Sequence, residues 1–201
     1  MKKRIRTHTN PLNIRQRLDQ FSLEGVLGEF QSINLEIGFG RGRFMSSYAQ
    51  KYTNELMVGV EVRKQMVEVF KANHHFQNCI PIWGAGFICL QDVIPDRSLD
   101  RVFIFHPDPW FKKRHHKRRV INLELIRLLR QKMAPQGVVF ISTDVYELYD
   151  EIMSVLRHDD DKTYIQDNVF WKTDYRTHWS SFSIQDLRSS FFATFKFKEE
   201  N

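Results

Sequence analysis

Short apolar runs alternate with stretches of helical periodicity through most of the chain. Residues 33–37 read as a buried strand that stops at Gly38, and residues 43–51 as a helix with Phe44, Tyr48 and Ala49 on one face. Residues 56–62 give a second strand closing on the acid Glu61, and residues 64–76 a helix with Met66, Val69 and Phe70 on one side. The alternation continues with a strand at 79–83, a helix at 87–93 and a strand at 101–105. A polar loop of about a dozen residues follows, then a helix over 120–133, a strand at 137–142 and a helix at 146–156. Strands alternating with helices predict a parallel sheet covered on both faces. The tail differs, because residues 163–171 and 191–197 are rich in aromatic and β-favouring side chains. An antiparallel strand pair is expected there. The predicted fold is therefore α/β: one domain at 31–201 with a doubly wound, mostly parallel sheet and an antiparallel C-terminal strand pair, preceded by a basic arm at 1–30.

A chain of 201 residues with 42% hydrophobic content can bury a full core without a disulfide or a structural metal. The same mixture excludes disorder and fibrous repeats. The formal net charge is +6, but its placement says more than its size. Residues 112–119 (Lys-Lys-Arg-His-His-Lys-Arg-Arg) carry six positive charges, and residues 1–17 carry six more (Lys2, Lys3, Arg4, Arg6, Arg15, Arg17) with no acid. In the rest of the chain 24 acidic residues outnumber 18 basic ones. That segregation points to a polyanionic partner. Cys79 and Cys89 stand ten apart and no Cys or His spacing suits zinc, so no metal and a reducing, cytoplasmic setting are expected. The charged N-terminus lacks the apolar core of a secretory signal, and no stretch nears the roughly 20 apolar residues of a membrane span. No membrane partner is expected.

Residues 35–43 read Leu-Glu-Ile-Gly-Phe-Gly-Arg-Gly-Arg and join the first predicted strand to the first helix. An open α/β sheet binds ligands at this edge. Gly38, Gly40 and Gly42 are spaced one residue tighter than the dinucleotide pattern Gly-x-Gly-x-x-Gly. Glu36, just before the loop, would repel a pyrophosphate but suit a cation. S-adenosylmethionine carries a sulfonium and an ammonium group and no phosphate, and so fits better. Glu61, 19 residues after Gly42, is placed to accept hydrogen bonds from both ribose hydroxyls.

The fourth strand runs into His106-Pro107-Asp108-Pro109-Trp110-Phe111 and then directly into the basic run. Two prolines bracketing an acid fix the backbone and hold Asp108 outside the sheet edge. Trp110 and Phe111 offer flat faces on which an unpaired base could stack. The Lys and Arg side chains that follow would neutralise phosphates without reading sequence.

Four segments, taken in order, resemble successive motifs of the tRNA (guanine-N7)-methyltransferases: Glu36-Ile-Gly-Phe-Gly-Arg-Gly42-Arg-Phe44, Gly59-Val60-Glu61, Pro107-Asp108-Pro109-Trp110 with its continuation to Arg119, and Thr143-Asp144. The likeness runs from about residue 33 to 150, and Arg6-Thr-His-Thr-Asn-Pro-Leu12 is similar to an N-terminal element of some members. The Asp-Pro-Trp segment is its most specific part, whereas the glycine loop is shared with many methyltransferases. The resemblance implies a Rossmann-like class I methyltransferase that methylates N7 of a guanosine in the tRNA variable loop, turning S-adenosylmethionine into S-adenosylhomocysteine. By motif position it implies Glu36, Gly38, Gly40, Gly42, Glu61, Ala85 and Asp108 at the cofactor, with Asp108 at the methyl transfer. Lys112, Asp144, Thr173 and Arg176 would contact the guanine or its nucleotide, and Arg114, Lys117, Arg118 and Arg119 the tRNA backbone. A monomer or a homodimer is compatible with it, and a partner subunit is left open.

The chemistry agrees with that inventory. Guanine N7 has an in-plane lone pair and no proton to remove, so the reaction asks for proximity and in-line geometry more than for a base. Methylation leaves the base cationic, which a carboxylate such as Asp108 or Asp144 would stabilise. Two positions depart from the family pattern. Ala85 stands where an Asp usually bonds the adenine amino group, a loss of about 1 kcal/mol. In Thr173-Asp-Tyr-Arg176 the last residue replaces a Glu. These departures leave a catalytically inactive tRNA-binding relative as the alternative. A dinucleotide-dependent oxidoreductase is a third reading, opposed by the tight glycine spacing and by Glu36.

Overall fold

The computed structural model describes residues 9–14, 17–18, 23–26, 28–158, 160–166, 168–178 and 189–198. The apolar runs become β1 (Ser32–Ile37), β2 (Glu55–Glu61), β3 (Cys79–Trp83), β4 (Leu99–Phe105) and β5 (Met133–Thr143). The periodic stretches between them become α1 (Arg43–Lys51), α2 (Lys64–Asn73), α3 (Gly86–Asp92), α4 (Leu123–Lys132) and, after β5, α5 (Tyr146–Arg157). The tail adds β6 (Lys162–Tyr164), α6 (Asn168–Thr173) and β7 (Phe191–Phe197). Among the described residues seven strands form one sheet in the order β3-β2-β1-β4-β5-β7-β6. The pairs from β3 to β5 are parallel, while β7 is antiparallel to both β5 and β6. Strand order reverses between β1 and β4, and a crevice for ligands opens at the carboxyl ends of the strands flanking such a switch point.

Period-2 alternation sorts the two faces of the sheet by side-chain type. On β4, Val102 and Ile104 enter an aliphatic core with Leu90, Leu125, Leu129 and Ile152. Phe103 and Phe105 point the other way, into an aromatic core with Phe44, Tyr48, Phe70, Phe140 and Phe170. Phe103 is fully buried, its ring centroid 4.8 Å from that of Phe44 and 5.4 Å from those of Phe140 and Phe170. Aromatic side chains dominate core energetics through their large buried area.

The helix expected at 64–76 ends at Asn73 and buries Val67 and Phe70, leaving Val69 of the expected face half exposed. The sequence pattern and the structure differ at three further places. The predicted helix at 120–133 starts late, because Asn122 caps it by accepting the Leu125 N–H at 2.9 Å, and ends early, because Met133 already pairs with Leu99 in β5. β5 thus begins four residues before the predicted 137–142 strand, through a register shift between Leu99 and Arg101 that accommodates Gln136 at φ +66°. Of the expected strand at 163–171 only Lys162–Tyr164 is extended. Asn168–Thr173 is a helix that places Phe170 4.2 Å from Phe140, so the aromatic composition there reports core packing. Upstream of β1, Leu18 and Leu23 belong to the aliphatic core, with the Leu18 N–H donating to Asp92 at 3.0 Å. Lys2, Lys3, Arg4, Arg6 and Arg15 of the expected basic arm lie outside the described residues.

The packing around Phe103 makes Phe103→Ala a direct test of the aromatic layer. The expected loss in unfolding free energy is about 3–5 kcal/mol, read from the urea midpoint. A loss below about 1 kcal/mol would contradict the packing described.

Candidate active site

A cleft of about 380 Å³ lies at the switch point, within the roughly 300–1,000 Å³ usual for small-molecule sites. Its floor is the glycine loop. Gly38, Gly40 and Gly42 adopt φ values of +82°, +62° and +72°, a region that favours glycine. Gly38 and Gly40 line the cleft. Gly42 is not among the lining residues and instead caps α1, and a Cβ there would stand 2.2 Å from the Phe70 ring. What the structure shows of Gly42 is its place at the start of α1, packed against Phe70.

Glu36 and Glu61 close the cleft at the ends of β1 and β2, each 3% exposed. Burial, and then the charge of Glu61, push the Glu36 carboxyl up to about 8. Glu36 Oε2 has no hydrogen-bond partner among the described residues. Glu61 is fully engaged by comparison. Its Oε2 accepts the Gly40 N–H at 2.8 Å and Arg63 Nη2 at 3.0 Å, and its Oε1 accepts the Arg63 N–H and Nε, both at 2.9 Å. Arg63 itself lines the cleft. Nothing in its spacing announced that role, since the contact depends on the turn after β2. Ala85 is 8% exposed and stands between the cleft-lining Gly84 and Gly86. It is the N-cap of α3 without a side-chain cap bond, so the missing Asp is also a missing cap.

The opposite wall is the loop after β4. His106, Pro107, Asp108 and Trp110 all line the cleft. His106 and Trp110 have φ of +46° and +45°, so the segment turns at both ends around the two prolines. Trp110 is only 9% exposed, with the Arg118 guanidinium 5.0 Å from its ring and His115 edge-on at 5.8 Å. It is therefore covered, and of the two expected stacking faces Phe111, 73% exposed, is the open one. The basic run forms a 3-10 turn at Lys113–Arg118. Lys112, Lys113, Arg114 and Lys117 are exposed, whereas Arg118 lines the cleft. Arg119 departs from its expected contact with a nucleic-acid backbone. It is 8% exposed, its Nε donates to Pro109 O at 2.8 Å, and its guanidinium pairs with Glu151 of α5.

Residues 31–183 match the family model "Putative methyltransferase". A tRNA (guanine-N(7)-)-methyltransferase of Thermosynechococcus vestitus is 31% identical over 160 residues, covering 77% of this chain and 75% of that protein. One from a Synechococcus strain is 34% identical over 74% of this chain and 65% of its own length. The chain belongs to the tRNA (guanine-N7)-methyltransferase family. Among solved structures, the aminoglycoside resistance methyltransferase NpmB1 superposes with a TM-score of 0.58 at 16% identity, over 90% of this chain and 94% of that one. Precorrin-6y C5,15-methyltransferase from Geobacter metallireducens gives 0.55 at 16%, over 88% and 85%. These two share the fold.

The positions that family resemblance assigned to the guanine fall in three places. Asp144, at the end of β5, lies against His106, with its side chain 3% exposed. Lys112 is exposed at the foot of the basic turn. None of Asp144, Lys112, Thr173 and Arg176 is among the cleft-lining residues, and of the four Asp144 touches one, His106. Thr173 is exposed, and its hydroxyl donates to Val169 O at 2.9 Å with Asp174 at 2.6 Å, while Arg176 is exposed too. Thr177 and His178 line the cleft instead, with Tyr175 against His106. The cause is the end of α6, where Asp174 is tied to Lys51 at 2.5 Å and Tyr52 at 3.0 Å and turns Thr173 outward.

The inward orientation of Arg119 separates it from its neighbours in the run. Arg119→Ala is expected to lower stability by about 1–3 kcal/mol, the scale of a buried acceptor left unpaired. Arg114→Ala should stay within about 0.5 kcal/mol. Equal effects in chemical denaturation would contradict the inward assignment.

Proposed function

We propose that this protein transfers the methyl group of S-adenosylmethionine to N7 of a guanosine in the tRNA variable loop, producing 7-methylguanosine and S-adenosylhomocysteine. The observation that carries this reading is one juxtaposition. A cleft holding an unpartnered Glu36 oxygen faces the Asp108 loop, which leads directly into an exposed cationic turn. A tRNA substrate suits a cytoplasmic enzyme, and no helix among the described residues is long and apolar enough to cross a membrane.

The donor set fits the cofactor. Glu36 would receive its ammonium group, and Glu61 its ribose hydroxyls in competition with Arg63. Gly38 and Gly40 leave room beside the backbone. Bound there, the cofactor supplies an electrophilic methyl. The chain's own residues then have two tasks, to orient the guanine and to stabilise its developing positive charge. Asp108 and Asp144 carry the second task, and no general base is needed because N7 bears no proton. Arg114, Lys117 and Lys112 would hold phosphates at the rim, and Arg118 the backbone nearest the cleft. Nothing among the described residues favours a binding-only relative, since Glu36, Glu61 and Asp108 face one cleft together.

Incubation with unmodified tRNA and labelled S-adenosylmethionine, followed by nucleoside analysis, should yield 7-methylguanosine. Its absence defeats the reading. Asp108→Ala should abolish turnover while tRNA binding survives, and near-normal turnover in that variant would remove Asp108 from the mechanism.

The raised pKa of Glu36 gives a second test. In the ligand-free protein the carboxyl holds its proton up to a pH of about 8. A bound ammonium favours the carboxylate, so binding must expel that proton and must tighten as pH rises. Calorimetry with S-adenosylhomocysteine should show affinity climbing between about pH 6 and 7.5, by up to about tenfold per unit, with close to one proton released. Glu36→Gln should flatten the profile. A flat profile in the wild type would take Glu36 out of the ammonium site.

A further inference from the structure

His106, Tyr175 and Ser142, side chains that the scheme above does not use, form a cluster against Asp144, which it does use. His106 follows β4, and its N–H donates to Ser142 O at 2.8 Å, which extends the ladder between β4 and β5. Its φ of +46° then turns the chain, in a region that His, Asn and Asp enter more readily than other side chains. The turn leaves the imidazole inside, with its side chain 4% exposed.

Three segments distant in sequence meet on that ring. Nε2 lies 2.5 Å from the Tyr175 hydroxyl, which follows α6. Nδ1 lies 3.4 Å from Asp144 Oδ1, which follows β5. Tyr175 Oη is in turn 2.9 Å from Ser142 Oγ. Burial pushes the Tyr175 phenol up to about 12, so it keeps its proton at neutral pH. Either hydroxyl can donate in the contact between Ser142 Oγ and Tyr175 Oη, and with Ser142 as donor the phenol proton is available to His106 Nε2. A neutral imidazole that accepts at Nε2 must carry its own proton on Nδ1, and Nδ1 faces Asp144.

We propose that His106 is a positioning residue: held as the Nδ1–H tautomer by Tyr175, it orients the Asp144 carboxylate toward the target guanine without neutralising it. This rests on the methyl transfer proposed above. A neutral donor suits the task. A lysine or arginine at this place would cancel the charge of Asp144, and that charge is what the cationic methylated base requires. The 3.4 Å separation is long for a hydrogen bond, as contacts of this kind are before substrate tightens them.

Two measurements test the proposal. In protein labelled with 15N-histidine, a long-range 1H–15N spectrum at about pH 8, above the ordinary histidine pKa of about 6.5, reads the tautomer. The His106 ring should be protonated on Nδ1, and Tyr175→Phe should shift it toward Nε2–H. A wild-type ring protonated on Nε2 overturns the proposal, whether or not the protein methylates tRNA. In the kinetic test, His106→Ala and Tyr175→Phe should each lower kcat by at least about tenfold, within the range of a positioned catalytic group, and leave S-adenosylhomocysteine affinity and the KM for tRNA within about twofold. His106→Asn places an amide N–H near Nδ1 and tolerates the left-handed backbone, so it should recover most of kcat. Unchanged kcat in His106→Ala, or an asparagine variant no better than the alanine one, overturns the proposal. A wild type that makes no 7-methylguanosine defeats the reaction itself, and the tautomer spectrum still decides the role of His106.

Discussion

Two carboxylates buried at the ends of adjacent parallel strands constrain everything else in the cleft. Glu36 and Glu61 cannot both stay ionised and unpaired so far from water, because burial and mutual repulsion both disfavour charge. The fold resolves this asymmetrically. Glu61 takes the Gly40 N–H and a forked guanidinium from Arg63, the bidentate geometry that makes arginine the stronger partner. Glu36 takes no such partner on Oε2 and holds a proton instead. A cationic ligand that reaches Oε2 would draw the Glu36 carboxyl into its charged form, whereas a pyrophosphate would gain nothing there. The tight glycine loop can then act without the phosphate that glycine loops of similar placement usually cradle.

The second wall obeys a different constraint. Asp108 stands between two prolines and between two residues with positive φ, His106 and Trp110, and such a segment keeps its shape only when its surroundings over-determine it. The basic run supplies part of that determination. Arg119 holds the Pro109 carbonyl and reaches Glu151, while Arg118 lies on the Trp110 ring. A run that looks uniform in sequence is thus divided. Two arginines turn inward to support the Asp108 loop, and the lysines and Arg114 face outward.

What was legible in the sequence follows from which forces act locally. The alternation of strands and helices, the edge at Gly38 and the placement of Glu36, Glu61 and Asp108 all follow from periodicity and glycine spacing over a few residues. α6 was missed because six residues give too short a window for helical period, and because Phe170 and Trp171 serve a core that residues far upstream complete. The lengthened β5 passes through Pro135, Gln136 and Gly137, whose composition reads as a turn, and only the pairing of Met133 with Leu99 shows otherwise. His106, Asp144 and Tyr175 meet through three separate chain segments, so no spacing rule joins them. Thr173 and Arg176 illustrate the opposite case, a short likeness that long-range anchoring displaces. A four-residue likeness set a register that the lateral anchoring of Asp174 to α1 then turned away from the cleft.

Opposite charges at the rim and in the cleft would be self-defeating if they acted over the same distance. They do not. The outward lysines and Arg114 sit in water, where ions screen them over about 8 Å at physiological salt, so they attract phosphates chiefly near contact. Asp144 is enclosed, and the field of a carboxylate there is weakened much less by solvent. A polyanion approaching from outside therefore meets the cations first, and only a group inserted past the rim meets the carboxylates. A guanine base crosses that boundary neutral and becomes cationic inside, where the negative charge stabilises it. On the proposed reaction, the backbone that delivers the base would keep its phosphates on the other side, against the cationic turn.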